Sequence, residues 1–264
     1  MPAQRSNPVK PETLAELASR LLPLLRARLP KVHCITNTVA QPITANVLLA
    51  AGAIPSLTTS EAEIGAFVHS ADAVLMNLGT LDPERHRAIE IALHHATKTR
   101  LPWLLDPVFV ERSELRLDFA RSLLARKPTA VRLNGAEFKA LSGAPPNADA
   151  VKVLARSRGT VVALTGEVDL VSDGERLVTI RNGDALMGKV TAMGCAGSAL
   201  ATAALVVIDD PMAAVVAALA VFGVAGELAA AVGKGPGSFA FAIIDALHTM
   251  SPEDVVARAR LADA

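Results

Sequence analysis

Short apolar runs alternate with longer segments of helical periodicity through most of the chain, and this alternation limits the possible folds more than any other feature. Five runs have the length of buried strands, and they span 32–35, 73–76, 102–105, 130–133 and 160–164. Alternation of this kind is typical of a mostly parallel sheet with helices on both faces. The sequence therefore predicts an α/β fold.

Two segments after the fifth run depart from this pattern. Residues 168–172 and 176–180 flank Asp173-Gly174, a strong turn signal, so we expect an antiparallel hairpin at the edge of the sheet. Three apolar helices are predicted after the hairpin, at roughly 195–208, 211–231 and 237–248. Before the first strand, leucines at helical spacing predict an amphipathic helix over 11–28, with Pro23 as a kink.

Length and composition bound the size of the domain. The 264 residues are 51% hydrophobic, enough for a sizeable core, and no repeat, charge run or low-complexity linker divides them. We therefore expect a single domain over 1–264, with 1–30 as a leading segment. Those first thirty residues lack the uninterrupted apolar core of a signal peptide, so the sequence predicts no export.

Charge and residue usage narrow the class of partner. The chain carries 26 basic and 26 acidic residues, which gives no electrostatic footprint for nucleic acid or an anionic membrane. Aromatic residues make up only 3%, which disfavours stacking on nucleic-acid bases. Cys34 and Cys195 lie far apart and form no metal-binding spacing, which favours a reducing compartment. We expect a cytoplasmic protein with a small-molecule partner.

Two alanine-rich stretches, 196–208 and 212–226, are apolar enough to raise the question of a membrane helix. Both are shorter than the roughly 20 residues that a spanning helix needs, and Asp209-Asp210-Pro211 separates them. The sequence therefore predicts two buried core helices.

A turn of small residues opens the first of these helices and reads Val190-Thr-Ala-Met-Gly-Cys-Ala-Gly-Ser198. Such a turn points unpaired N–H groups and the positive end of the helix dipole at whatever lies in front of it. Phosphoryl transfer needs little more than such an anion site, a metal and a positioned hydroxyl, so the segment favours an ATP-using enzyme. The alternative is a helix cap whose glycines permit close packing. For Cys195, either the dipole lowers the thiol pKa and favours a base or nucleophile, or the residue packs as a small buried side chain.

Polar residues follow the predicted strands at the carboxyl edge of the sheet, where α/β proteins bind ligands. Asp106 and Glu137 suit a hydrated Mg²⁺. Alternatively, Asp106 opens an Asp-Pro turn and Glu137 occupies the first turn of a helix. Arg132 is suited to clamp a phosphate, although an arginine at a strand end more often forms a surface salt bridge.

Further polar residues lie at this edge of the sheet. Thr165, Asn37 and Asn46 each allow two interpretations, whereas the pattern assigns no role to Asn134. Thr165 either donates its hydroxyl to a nucleotide phosphate or belongs to an ordinary Thr-Gly turn. Asn37 and Asn46 either orient a metal-bound water or cap helices. Asn134 ends the fifth strand three residues before Glu137.

Seven motifs occur together, in an order and spacing that are specific. They are Val32-His-Cys-Ile-Thr-Asn37, Asn77-Leu-Gly-Thr80, Leu105-Asp-Pro-Val108, Asn134-Gly-Ala-Glu137, Leu164-Thr-Gly-Glu-Val-Asp169, Gly194-Cys195 and Lys234-Gly-Pro-Gly-Ser-Phe239. In this combination the chain resembles the hydroxyethylthiazole kinase family, ribokinase-like enzymes of thiamine salvage.

The resemblance implies that the protein phosphorylates the alcohol of hydroxyethyl-methylthiazole with ATP and Mg²⁺. It also implies a homotrimer with sites near the subunit boundaries. By the same resemblance, Arg132, Asn134 and Thr165 would contact the nucleotide. Asp106 and Glu137 would serve the Mg²⁺ region.

For the acceptor side, the resemblance implies that Cys195 and Gly194 lie beside the reacting groups. Leu57, Ala192 and Asn37 would contact the thiazole or its hydroxyethyl arm. The wider ribokinase-like superfamily usually has Asp at the position of Cys195, whereas thiazole kinases often have Cys.

The chain departs from the family pattern where glycines are usual. Ala192, Leu133 and Phe109 each replace a family glycine. If the backbone at Ala192 needs a positive φ, the methyl group adds strain of the order of 1 kcal/mol.

These departures motivate two alternatives to the kinase. The first is a catalytically weakened paralogue that binds nucleotide or thiazole as a sensor or carrier. The second is a nucleotide-dependent dehydratase of hydrated nicotinamide cofactors, which the Ile35-Thr-Asn37 and Thr165-Gly-Glu-Val-Asp169 elements disfavour.

Overall fold

Nine strands form one continuous sheet in the computed structural model, which describes residues 11–263. The strands are β1 Lys31–Ile35, β2 Ile54–Ser56, β3 Ala73–Asn77, β4 Trp103–Asp106, β5 Ala130–Asn134, β6 Val161–Thr165, β7 Asp169–Ser172, β8 Leu177–Ile180 and β9 Leu261–Asp263. Their order in space is β2-β1-β3-β4-β5-β6-β7-β8-β9. The five predicted strands are confirmed.

The first six strands are parallel, whereas β7, β8 and β9 pair antiparallel. The predicted hairpin is β7–β8, and β9 lies outside it, so the hairpin is one strand in from the edge. Both β2 and β9 escaped sequence analysis because segments of 3 residues are too short to show an alternating pattern.

Eleven α-helices of the described residues cover the sheet. They are α1 Pro11–Arg28, α2 Gln41–Ala51, α3 Ile64–His69, α4 Pro83–Thr99, α5 Glu114–Leu124, α6 Gly135–Ser142, α7 Ala148–Arg158, α8 Met193–Val207, α9 Pro211–Val232, α10 Pro236–Thr249 and α11 Pro252–Arg258. Short 3₁₀ turns span Val110–Arg112 and Ala185–Lys189.

The sheet separates two hydrophobic cores, because successive side chains of a strand point to opposite faces. On one face Val32, Leu75 and Leu104 pack with α1, α2 and α8 to α11. On the other face Met76 and Leu105 pack with α3 to α7. Helices on both faces confirm the predicted fold class.

The most apolar helix of the described residues is α9. With 22 residues it is long enough to cross a membrane, so the predicted shortness of this stretch is wrong. In its most apolar 18-residue window, 72% is buried inside the protein, as in the core helix of a soluble protein. The prediction of buried core helices is confirmed.

The leading helix agrees with its prediction in extent. Pro23 lies inside α1 and does not end it. Residues 1–10, which contribute to the expected leading segment and to the expected lack of a signal peptide, lie outside the described residues.

The direction in which the chain winds reverses at β1. From β1 the chain passes outward to β2 on one side, then continues to β3 and β4 on the other. In open α/β sheets such a reversal opens a crevice at the carboxyl ends of the strands, where ligands bind. Asn37 follows β1 and Asn77 ends β3, so both lie at this crevice.

Candidate active site

The first turn of α8 lies against the carboxyl ends of the strands. The first backbone hydrogen bond of the helix runs from the Ala196 amide to the Ala192 carbonyl at 2.9 Å, so the amides of 193–195 precede it. No side chain of a described residue caps this end. Unpaired amides at a helix N-terminus form an anion site.

Backbone strain accompanies two of the three glycine replacements. Ala192 has φ 67° and Phe109 has φ 58°, both in the left-handed region that favours glycine. The positive φ on which the expected strain at Ala192 depends is therefore present. Leu133 differs, because it is a fully buried residue within strand β5 and replaces no glycine-dependent turn.

A chain of buried polar side chains runs across the crevice. Asn37 Nδ2 donates to Cys195 Sγ at 3.4 Å and to Asn77 Oδ1 at 3.4 Å. Asn77 Nδ2 donates to Asp106 Oδ2 at 2.7 Å. The four side chains come from three neighbouring strand ends and from the first turn of α8. They link the candidate thiol to the candidate metal carboxylate.

Burial decides the protonation state of Cys195. Desolvation, followed by the negative charge of Asp106, raises the pKa of its thiol to about 11. Burial and the neighbouring carboxylate therefore favour the interpretation of Cys195 as a small buried side chain with a neutral thiol. Near neutral pH, Cys195 is a buried thiol whose sulfur accepts a hydrogen bond from Asn37.

The two carboxylate oxygens of Asp106 differ in their hydrogen bonds. Its Oδ2 accepts from Asn77, whereas its Oδ1 is buried without a hydrogen-bond partner among the described residues. Burial raises the pKa of this carboxyl, and the positive charge of Arg132, the nearby Ser198 hydroxyl and the Asn77 amide oppose that shift. An unpartnered buried carboxylate oxygen fits a cation ligand.

Glu137 lies in the first turn of α6, as the second interpretation of this residue predicted. Its Oε2 accepts from the Asn134 amide at 2.8 Å, and Asn134 Oδ1 accepts from the Glu137 amide at 2.9 Å, which together form a capping box. Its Oε1 accepts from the Phe109 amide at 3.1 Å. Burial, followed by the charge of Asp106, raises the pKa of Glu137, so the two carboxyls interact electrostatically.

The two carboxyls do not form a closed metal cage. Among residues 11–263 no group of three or more His, Cys, Asp or Glu side chains surrounds a common point. Mg²⁺ commonly keeps several waters and takes one or two carboxylates plus phosphate oxygens. Asp106 fits a cation held in that way, whereas both oxygens of Glu137 already accept backbone hydrogen bonds.

A cavity of about 730 Å³ adjoins the first turn of α8. Arg132, Asn134 and Thr165 line it from the ends of β5 and β6, and Met193 and Gly194 line it from α8. Met193 is buried in the core and forms one wall without filling the space. A volume of this size is within the range of small-molecule sites.

Arg132 lies at the junction between the cavity and the helix. A Cβ atom at Gly194 would stand 2.5 Å from Arg132 Nη1, so the guanidinium touches the backbone of the turn. Its Nε is buried without a hydrogen-bond partner among the described residues. The guanidinium is therefore available for an anion.

Six predicted site residues are absent from the cavity wall, Cys195, Asp106 and Glu137 among them. Thr165 lines the cavity, but its hydroxyl donates to the Leu133 carbonyl at 3.2 Å. Leu57 follows β2 and is half-buried against the core. Leu57, Ala192 and Asn37 are absent from the cavity wall.

Sequence reasoning missed half of the cavity. The loop 181–188 and the α9 residues Leu219, Phe222 and Gly223 form its other side, and Asp169 lines it from β7. A signal existed for the loop, because it lies between the predicted hairpin and the Gly194-Cys195 turn. Asn77 was visible as a strand end, but its bond to Asp106 depends on the register of β3 and β4.

The fold is shared with a solved protein of low sequence identity. A ribokinase-like superfamily protein from Enterococcus faecalis aligns with a TM-score of 0.67 at 13% identity, covering 86% of this chain and 89% of that one. The likeness shows that the two proteins share a fold.

Sequence comparison gives the family. The family model "Hydroxyethylthiazole kinase family" matches residues 22–253. A hydroxyethylthiazole kinase from Cronobacter sakazakii is 42% identical over 247 residues, covering 89% of this chain and 93% of that protein. The structure of a hydroxyethylthiazole kinase protein from Pyrococcus horikoshii aligns with a TM-score of 0.90 at 35% identity, covering 94% and 99%. The chain belongs to the hydroxyethylthiazole kinase family, and is therefore a small-molecule kinase.

Proposed function

We propose that the protein transfers the γ-phosphoryl group of ATP to the hydroxyl of hydroxyethyl-methylthiazole or a close analogue. The observation that carries this proposal is the contact between Arg132 and Gly194, at the mouth of a cavity large enough for a nucleotide. A guanidinium and free helix amides at one point suit the charge of a transferring phosphoryl group.

The nucleotide side of the site is assigned to Arg132, Asn134 and Thr165. All three line the cavity, so one ligand is able to contact them together. The guanidinium of Arg132 offers a planar fork of donors that matches a phosphate. The Thr165 hydroxyl reaches a phosphate only by giving up its bond to the Leu133 carbonyl.

The acceptor alcohol is assigned to the crevice beside Cys195 and Gly194, with Asn37, Leu57 and Ala192 around it. The alcohol oxygen bonds to phosphorus as the bridging bond to the β-phosphate breaks, ADP leaves, and the hydroxyl proton passes to a phosphate oxygen or to solvent. Catalysis of this reaction is mostly positional and electrostatic. A neutral Cys195 thiol is compatible with that chemistry.

Mg²⁺ is assigned to the region of Asp106 and Glu137. Bound with the nucleotide, the ion would neutralise developing phosphate charge. The unpartnered Oδ1 of Asp106 supports this assignment. Arg132 supplies a second positive charge, which opposes the rise in the pKa of both carboxyls that burial causes.

The family resemblance supports a proposal for the assembly and the location. We expect a cytoplasmic homotrimer that consists of one ribokinase-like domain per chain. Exposed apolar side chains of Leu49, Ile54 and Phe67 near the edge strand β2 support self-association. Light scattering tests this, and a mass of three chains is the expected result.

Product analysis tests the transfer itself. Incubation with ATP, Mg²⁺ and hydroxyethyl-methylthiazole should yield a phosphate monoester on the hydroxyethyl arm, identified by ³¹P NMR and mass spectrometry. Binding of the thiazole without any monoester would favour the sensor or carrier. Conversion of a hydrated nicotinamide cofactor would favour the dehydratase.

A further inference from the structure

Asn77 is a buried amide whose hydrogen bonds join the two halves of the candidate site. Its Oδ1 accepts from the Gly79 amide at 3.0 Å and from Asn37 Nδ2 at 3.4 Å, and its Nδ2 donates to Asp106 Oδ2 at 2.7 Å. The residue is 0% exposed. Burying an amide is costly, and only its hydrogen bonds offset that cost.

Backbone donors fix the direction of this chain of bonds. An N–H group can only donate, so the Gly79 amide requires the oxygen of Asn77 on its side and turns the nitrogen toward Asp106. In the same way, the Ala40 amide holds Asn37 Oδ1 at 2.9 Å and turns the nitrogen of Asn37 toward Asn77. A Cβ at Gly79 would lie 2.7 Å from Asn37 Nδ2, so only glycine permits this approach.

The two oxygens of Asp106 are therefore not equivalent. Asn77 occupies Oδ2, and Oδ1 has no partner among the described residues. Without the Asn77 donor, Oδ2 would lose its hydrogen bond, and only the nearby Ser198 hydroxyl and the charge of Arg132 would remain to orient the carboxylate. A residue that orients a metal-binding carboxylate typically changes metal affinity or activity about 10- to 100-fold when it is removed.

We infer that Asn77 is a positioning residue, which holds Asp106 with Oδ1 free for a cation and anchors Asn37 beside the Cys195 sulfur. This inference rests on the proposed function, because the cation is the one that accompanies the nucleotide.

The test is Mn²⁺ binding to the enzyme in the presence of ADP, measured by EPR of the free ion, together with steady-state kinetics. Asn77→Leu keeps the volume and removes the hydrogen bonds. We expect its Mn²⁺ dissociation constant to rise and kcat to fall, each about 10- to 100-fold, with the KM for the alcohol changed less than about threefold. If this variant does not fold, the same measurements are made on Asn77→Ala.

Thr160→Val is the matched control, because Thr160 is a buried polar residue at the amino end of β6 that donates to the Pro128 carbonyl at 2.6 Å. We expect lower stability with unchanged Mn²⁺ binding. In an Asp106→Asn background, Asn77→Leu should change Mn²⁺ binding less than about twofold, because it acts through Asp106.

Equal effects of Asn77→Leu in both backgrounds, or unchanged Mn²⁺ binding in Asn77→Leu, would overturn the inference while leaving the proposed function intact. A wild-type enzyme that binds neither ADP nor Mn²⁺ and forms no monoester would instead overturn the proposed function, and this inference with it.

Discussion

Arg132 touches the backbone at Gly194, since a Cβ atom at that position would stand 2.5 Å from Arg132 Nη1. The contact joins the end of β5 to the first turn of α8. It brings a guanidinium with an unpartnered Nε beside amides that precede the first helical hydrogen bond. The proposed transfer of a phosphoryl group depends on this pair.

Gly194→Ala tests the contact. The added methyl group must displace the guanidinium, so we expect kcat/KM for ATP to fall at least about tenfold, a loss of about 1.4 kcal/mol in transition-state stabilisation. Steady-state kinetics measures it. Gly188→Ala is the control, because Gly188 lines the same cavity with nothing within 4 Å of an added Cβ. Equal losses in both variants would contradict the role of the contact.

Ala192→Gly tests the backbone strain. Glycine adopts the φ of 67° without cost, so we expect the free energy of unfolding to rise by about 0.5–1 kcal/mol. Urea denaturation measures it. Ala230→Gly within α9 should instead lower the stability by a similar amount. Lower stability in both variants would show that Ala192 is not strained.

The protonation of Cys195 is tested by the pH dependence of kcat. With a pKa of about 11, the thiol stays protonated between pH 7 and 9, and we expect the ratio of wild-type kcat to that of Cys195→Ser to be flat across this range. If the thiolate were the reacting form, the ratio would rise about tenfold per pH unit. Such a rise would contradict the neutral thiol. We also expect Cys195→Ala to lower kcat.

Asp169 should make the protein less stable as pH rises from 4 to 7. Burial raises its pKa from 3.8 to about 6, so in this window the folded protein retains a proton that the unfolded chain releases. Raising the pH therefore favours unfolding, by about 2 kcal/mol for this group.

The measurement for Asp169 is urea denaturation of the wild type and of Asp169→Asn across that range. The asparagine oxygen is still able to accept from the Gly166 amide, which donates to Asp169 at 2.9 Å. We expect the stability of the variant relative to wild type to increase with pH. The exposed Asp149→Asn gives the baseline for losing one carboxylate. A difference that stays constant or decreases with pH would contradict the assignment.

Much of the fold could be predicted because local patterns matched the final packing. The strands β3 and β4 are continuous apolar runs up to their last residues, Asn77 and Asp106, as expected for strands buried on both faces. The short strands β2 and β9 could not be predicted, because only their partners in the sheet hold them extended.

The site residues at the strand ends could be predicted from the sequence. The protonation states of Cys195 and Asp169, and the side of the cavity formed by 181–188 and α9, could not. Arg132, Asn134 and Thr165 lie at predicted strand ends, the family resemblance implied that they contact the nucleotide, and all three line the cavity. The pKa of Cys195 depends on desolvation by residues distant in sequence, which no local pattern reports. The same holds for Asp169, whose burial arises from the tertiary fold.

The most direct measurement is ADP release across a small panel of alcohols that includes hydroxyethyl-methylthiazole and hydroxymethyl-pyrimidine. The account predicts Mg²⁺-dependent release with the thiazole alcohol, at a rate of the order of 1 s⁻¹ or more. It also predicts that Gly194→Ala reduces that rate and that Gly188→Ala does not. Release of ADP at the same rate with and without the thiazole alcohol, or no release at all from folded protein, would contradict it.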